Sequence, residues 1–332
     1  MEACVYHIPA MLEETIEGLN ILPQGIYVDV TFGGGGHSRA ITSRLEDGGK
    51  LFSMDQDLDA YKNAKSLQNA AFWEEAEKAD KWQFVHGNFR YIKNFLDYYG
   101  HPAYDPDEEG SGIDGILADL GVSFHHFDEA ERGFSFRFAG PLDMRMNQGG
   151  GKTAADIVNT YDEEALARVL YIYGEMKNSR QIARQIVRRR NSEAIARTEQ
   201  LVDILTGGHW QMHDGEIEVD PHAKKDLARI FQALRIEVND EMKALEEMLL
   251  AGKDMLRPGG RFVILTYHSL EDRMVKNFFK TGNLEGNVEK DFYGNVISPF
   301  GGKTGKVITA SDEEVERNPR SRSAKLRIAI KN

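Results

Sequence analysis

Residues 29–41 read DVTFGGGGHSRAI. Four successive glycines after a short apolar run leave backbone that a ligand can approach closely. A helix starting beyond them would add free N–H groups and a positive dipole end at the same place. Asp55 and Asp57 follow about 20 residues on, where an acid can accept from both ribose hydroxyls of an adenosine. Three ligands are common at such a turn. A nucleoside triphosphate wants G-x-x-x-x-G-K-[ST], which the chain lacks. A dinucleotide wants G-x-G-x-x-G, but counting from Gly33 the third position is Ser38, and from Gly34 it is Arg39. S-adenosylmethionine (SAM) carries a sulfonium and no phosphate, so close backbone and acids suffice for it. The acids do not decide, because nicotinamide sites share them. The bland alternative is a glycine turn whose strand-end acids only cap a helix.

The elements that must position these residues are legible as alternation. IYVDVTF (26–32), KLFSMDQD (50–57), QFVHGNF (83–89) and DGILADLG (114–121) read as short buried strands, with helical HSRAITSRL (37–45) and LDAYKNAKSLQ (58–68) between the first three. That pattern predicts a doubly wound α/β sheet with parallel strands. From about 125 to 215 no strand of quality is expected. The stretch opens with ERGFSFRFAGPLDMRMNQGGGK (131–152) and continues in helices such as DEEALARVLYIYG (162–174) and NSRQIARQIVRRR (178–190). Residues 220–260 read as an amphipathic helix, interrupted once and stopped by Pro258-Gly259-Gly260. RFVILTYH (261–268) and KLRIAIK (325–331) resume the sheet. The expected organisation is therefore a discontinuous domain, 1–124 with 216–332, interrupted by a helical insertion over 125–215. The helix–PGG–strand passage at 256–261 is frequent in SAM-dependent methyltransferases of this fold, though alone it is also a plain helix stop.

Composition sets limits. The chain has 332 residues, 41% hydrophobic and 28% charged, with a formal net charge of −12, which argues against a broad, sequence-blind grip on nucleic acid. No run is apolar enough to span a membrane, and the start has no signal-peptide character. One cysteine, Cys4, excludes an internal disulfide and a multi-cysteine zinc site. His125-His126 lack the spacing of H-E-x-x-H, so no metal is expected. The expected setting is cytoplasmic.

Longer motifs carry a resemblance. YHIPAMLEE (6–14), DVTFGGGGHS (29–38), DLGVS (119–123), DEAERGFSFR (128–137), GPLDMRM (140–146), IFQALRIEVNDE (230–241), YHSLEDRMVKNFF (267–279) and NPRSRSAKLRIA (318–329) together resemble the bacterial 16S rRNA cytosine-N4 methyltransferases. The resemblance runs from about residue 6 to residue 330. It implies a Rossmann-like, SAM-dependent domain with a helical insertion, acting on one cytosine amine in the decoding region of 16S rRNA in the small ribosomal subunit. Carried over by motif, it implies cofactor contacts at Gly34, Gly35, Gly36 and His37, with Asp55 on the ribose, Phe89 along the adenine and Asp119 facing the methionine part. His126 stands where the family has a Gln that touches the cofactor.

The chemistry then needs an aligned cytosine amine and an acceptor for its hydrogens. Asp119, at the end of the fourth strand, is the expected acceptor, and His268, at the end of the fifth, is a second candidate. A clamped, unstacked base needs aromatic faces, for which Phe124, Phe134, Phe136 and Tyr267 are candidates, each weighed against plain core packing. Phosphate contacts are expected from Arg132, Arg137 and Arg145 in the opening loops, from Arg180, Arg184 and Arg188 sharing one helix face, and from Arg320, Arg322 and Lys325. The rival readings are the same fold methylating another RNA or protein amine, and a non-catalytic RNA-binding assembly factor. A monomer and a homodimer are equally compatible with the sequence.

Overall fold

The computed structural model describes residues 9–122, 127, 129–294, 296–301 and 306–332. In chain order the first half contains α1 (Leu12–Leu19), β1 (Ile26–Asp29), α2 (Gly36–Thr42), β2 (Lys50–Asp55), α3 (Leu58–Ala64), α4 (Ala70–Lys78), β3 (Trp82–His86), α5 (Ile92–Tyr98) and β4 (Ile113–Asp119). The middle holds α6 (Ala154–Thr160), α7 (Glu163–Ile172), α8 (Ser179–Arg190), α9 (Thr198–Thr206), β5 (Trp210–His213), β6 (Glu216–Val219) and α10 (Pro221–Asn239). The last third holds α11 (Glu241–Met255), β7 (Leu256–Thr266), α12 (Ser269–Thr281), β8 (Glu289–Lys290), β9 (Val296–Ile297), β10 (Phe300–Gly301), β11 (Ile308–Thr309), α13 (Asp312–Arg317) and β12 (Lys325–Lys331). Two compact units result: Met1–Gly121 with Met242–Asn332, and Val122–Glu241.

The first unit is built on one sheet, ordered β10-β12-β7-β4-β1-β2-β3, with β11 on β12. Strands β3, β2, β1, β4 and β7 run parallel, and β12 is antiparallel to β7. Both faces are covered, which is why these strands read as unbroken apolar runs. Tyr27, Leu51, Leu117 and Val263 face one cluster with Ile16 and Leu19 of α1, Ile41 of α2 and Trp73 of α4. Val28, Phe52, Ile116 and Phe262 face the other, with Leu96 of α5, Leu249 of α11 and Phe278 of α12. The order reverses at β1: β2 and β3 lie to one side of it, β4 to the other. In such sheets the crevice beyond the carboxyl ends at the reversal is where ligands bind.

The second unit is helical, with its own core. Leu142, Ile157, Leu166, Leu170, Ile186, Leu201 and Leu234 are buried in it. The apolar face of α10 belongs to this core, so the helical unit runs on to Glu241, past the residue 215 expected from composition. The interruption expected within 220–260 falls at Asp240, which takes φ 50° and ends α10. The absence of strands expected over 125–215 is corrected at its edge. β5 and β6 form an antiparallel hairpin that buries only Ile217 fully, too little apolar surface to announce itself. The Pro-Gly-Gly stop is corrected too: the helix has ended by Met255, and 258–260 lie within β7, at a register shift against β4.

Candidate functional site at the glycine crossover

The glycine run occupies the reversal, between β1 and α2. Gly35 takes φ +77°, and a Cβ there would meet the rings of Phe32 at 2.8 Å and Trp73 at 3.0 Å. A Cβ on Gly36 would meet Pro9 at 2.8 Å. Two of the four glycines are thus required by the protein's own packing, a demand distinct from ligand approach. Gly34 lies between β1 and α2 with its carbonyl 3.5 Å from Asn63 Nδ2.

The two strand-end acids separate in role. Asp57 caps α3, accepting from the Asp59 N–H at 2.9 Å. Asp55 caps nothing: its Oδ2 accepts from the Gly33 N–H at 2.8 Å and its Oδ1 from the Asp57 N–H at 2.9 Å. Each oxygen keeps a lone pair, so the carboxylate is locked in place yet still able to accept. Burial raises the Asp55 pKa to about 7, and Asp57 and Asp29 push the same way. Phe89 follows β3, the neighbour of β2, in a turn where Asn88 bonds Gln56 at 2.8 Å and the Arg90 N–H at 3.0 Å. Its ring is half-buried against the core.

Asp119 ends β4 on the other side of the reversal. Its N–H donates to Thr31 Oγ1 at 2.7 Å, and its Oδ1 accepts from the Tyr267 hydroxyl at 2.6 Å. His37 Nδ1 stands 3.7 Å from its Oδ2. Burial raises the Asp119 pKa to about 7, opposed by Tyr267 and assisted by Glu271. Asp29 lies deeper, 1% exposed, accepting from Ser38 Oγ at 2.6 Å and the Thr31 N–H at 3.1 Å. Its pKa is raised by the same burial, and His37 is pushed down towards the neutral ring. None of Asp29, Asp55 and Asp119 has a lysine or arginine ion pair among the described residues. Carboxylates buried this way favour a cationic ligand, which would restore their ordinary ionisation.

The remaining candidates are spread over both units. His268 is the N-cap of α12; its Nδ1 accepts from the Glu271 N–H at 3.4 Å and its Nε2 lies 3.1 Å from Glu271 Oε1. Tyr267 commits its hydroxyl to Asp119. In the helical unit Phe134 is 3% exposed, inside the core, and Phe136 stacks edge-on against Phe231. Arg132 is 3% exposed and donates to the carbonyls of Arg145 and Met146. Arg145 grips Asp143 with two bonds of 2.8 Å, and Arg137 bonds Glu216 at 2.6 Å. On α8, Arg180, Arg184 and Arg188 are exposed together, and among the described residues only Arg184 of the three has an ion pair, with Glu163 at 3.3 Å. Lys325 pairs with Asp272 at 3.1 Å. His126 and Phe124 lie outside the described residues. The carboxylate at this crossover that sequence reasoning missed is the buried Asp29; its signal was an acid closing a buried strand shortly before the glycines.

The sheet order and the glycine crossover define the class: a Rossmann-like α/β domain of the methyltransferase type, interrupted by a helical unit. Sequence comparison supplies the family. The MraW methylase family matches residues 4–332, and the chain belongs to it. Ribosomal RNA small subunit methyltransferase H of Phocaeicola vulgatus is 55% identical over 327 residues, 98% of each chain. The protein of that name from Parabacteroides distasonis is 55% identical over 326 residues, 98% of this chain and 97% of its own. That from Cytophaga hutchinsonii is 47% identical over 327 residues, covering 98% and 99%. The resemblance read from the motifs is borne out.

Proposed function

We propose that this protein transfers a methyl group from SAM to N4 of one cytosine in the decoding region of 16S rRNA, within the small ribosomal subunit and in the cytoplasm. The observation that carries the reading is the set of one buried and two largely buried carboxylates, with no lysine or arginine ion pair among the described residues, around a glycine turn at the sheet reversal. The names of the full-length relatives supply the RNA.

SAM supplies a methyl group already activated by positive sulfur. Asp55 would hold the ribose hydroxyls with the lone pairs left over from Gly33 and Asp57. Phe89 would hold the adenine and the backbone of Gly34 to His37 would hold the rest of the cofactor; His126, expected beside it, lies outside the described residues. Asp119 accepts from the methionine ammonium or from the cytosine amine. The methylated N4 would have one proton to shed, and the Asp119 carboxylate, held by Tyr267, would be the acceptor for it. The helical unit carries the RNA contacts, chiefly through the outward arginines of α8. Arg137 and Arg145 would reach RNA only by giving up or sharing Glu216 and Asp143. His268 acts here through Glu271 and the start of α12.

The test is mass spectrometry of nucleosides from small subunits incubated with the protein and isotopically labelled SAM. Label in N4-methylcytidine is expected. Label in another nucleoside, or in ribosomal protein, would overturn the acceptor assignment, and no label at all would favour an assembly factor.

A further inference from the structure

The Asp119 carboxylate is approached from two sides by groups of different capacity. Oδ1 has a donor, the Tyr267 hydroxyl at 2.6 Å. Oδ2 faces His37 Nδ1 at 3.7 Å. His37 Nε2 lies 3.1 Å from the Ala10 carbonyl, which can only accept, so the ring proton belongs on Nε2 and Nδ1 presents a bare lone pair. With Asp119 ionised, Oδ2 and Nδ1 are therefore two acceptors turned towards one another with no donor among the described residues, an arrangement a ligand N–H group completes.

Tyr267 is held at both ends. Its N–H donates to Glu271 Oε2 at 2.9 Å, beside the start of α12. Its ring lies over Gly121, where a Cβ would come within 3.2 Å of Cδ2. The hydroxyl has little freedom to point elsewhere, so its bond to Asp119 is a fixed feature of the fold.

We infer that Tyr267 is a positioning residue for methyl transfer: its hydroxyl fixes Asp119 so that Oδ2, alongside His37 Nδ1, is the oxygen offered to the ligand, and holds that carboxylate in its accepting form. The inference rests on the reading of Asp119 given above. The groups that face this carboxylate are Tyr267 and Glu271 from the end of β7 and the start of α12, His37 from α2 and Asp29 from β1; Glu314 of α13 acts on both Tyr267 and His37. Glu271 and Asp29 oppose ionisation of Asp119, and Tyr267 supports it.

The full-length Tyr267→Phe and Asp119→Asn proteins are titrated with SAM by calorimetry from about pH 5.5 to about pH 9, and assayed on small subunits. Loss of the hydroxyl is expected to move the acid limb of SAM binding upward by about one pH unit, about tenfold weaker binding below that limb, with near-normal binding at the alkaline end. A 3-fluorotyrosine at position 267, a stronger donor, moves the limb the other way. Equal weakening of Tyr267→Phe at every pH, or a limb that moves in neither variant, overturns the inference. Normal binding and turnover by Asp119→Asn would instead remove the reading on which it rests.

Discussion

The two units use their charges in opposite ways. At the glycine crossover Asp29 is buried, Asp55 and Asp119 are largely buried, and none pairs with a lysine or arginine among the described residues; their hydrogen bonds come from backbone and hydroxyls. In the helical unit the charges that looked most functional are already satisfied: Arg145 by Asp143, Arg137 by Glu216, Arg132 by two carbonyls. The contrast teaches that a residue's type marks a site less well than its spare capacity. Asp55 and Asp119 have acceptor capacity left over. Arg132 has been spent on holding the loop that opens the helical unit. The α8 face, by contrast, keeps the cations Arg180 and Arg188 in solvent.

The contrast can be broken most severely at Asp119. Asp119→Ala is expected to lower kcat for methyl transfer by about 10³-fold while the circular-dichroism melt stays cooperative, because one preorganised acceptor is lost from a buried site. Near-normal turnover by a folded variant would show that the acid is only a strand end. Next comes α8. Reversing charge at Arg180, Arg184 and Arg188 together is expected to raise KM for small subunits about 10–100-fold and to flatten its salt dependence, with SAM affinity unchanged. A KM that ignores the triple change would reduce this face to a solvated helix. The smallest effect belongs to a spent cation. Arg137→Ala removes an exposed pair with Glu216 and is expected to leave the chemical-denaturation midpoint and KM little changed. A tenfold rise in KM would mean that Arg137 leaves Glu216 to meet RNA.

The fold was legible where burial on both faces made strands into apolar runs, as in β1, β2, β4 and β7. The β5–β6 hairpin was not, because its faces are mostly exposed. Its one signal was Asp214-Gly215, both at positive φ, the two-residue turn that joins such strands. At the site, the glycines and Asp55 could be read from local order. The bond from Tyr267 to Asp119 spans 148 residues and no local pattern announces it. Phe134 and Arg132 illustrate the same limit: an aromatic and an arginine in a glycine-rich loop look available until the chain folds over them.

The acids at the glycine crossover also set a pH signature. Asp55 and Asp119 titrate at about 7, against an ordinary 3.8. In that window the folded chain holds protons that the unfolded chain has released, so these groups contribute stability at acid pH that is lost as pH rises through about 7. A ligand that donates to the carboxylates, or brings positive charge to them, must reverse that trend by drawing their protons off. Calorimetric titration with SAM at about pH 6 and about pH 8, in two buffers of different protonation enthalpy, tests this most directly. Binding should be tighter at the higher pH and should release protons at the lower, with Asp55→Asn reducing both effects. Equal affinity at the two values with no proton released would contradict the claim that carboxylates with no lysine or arginine pair among the described residues hold a cationic donor at the glycine crossover.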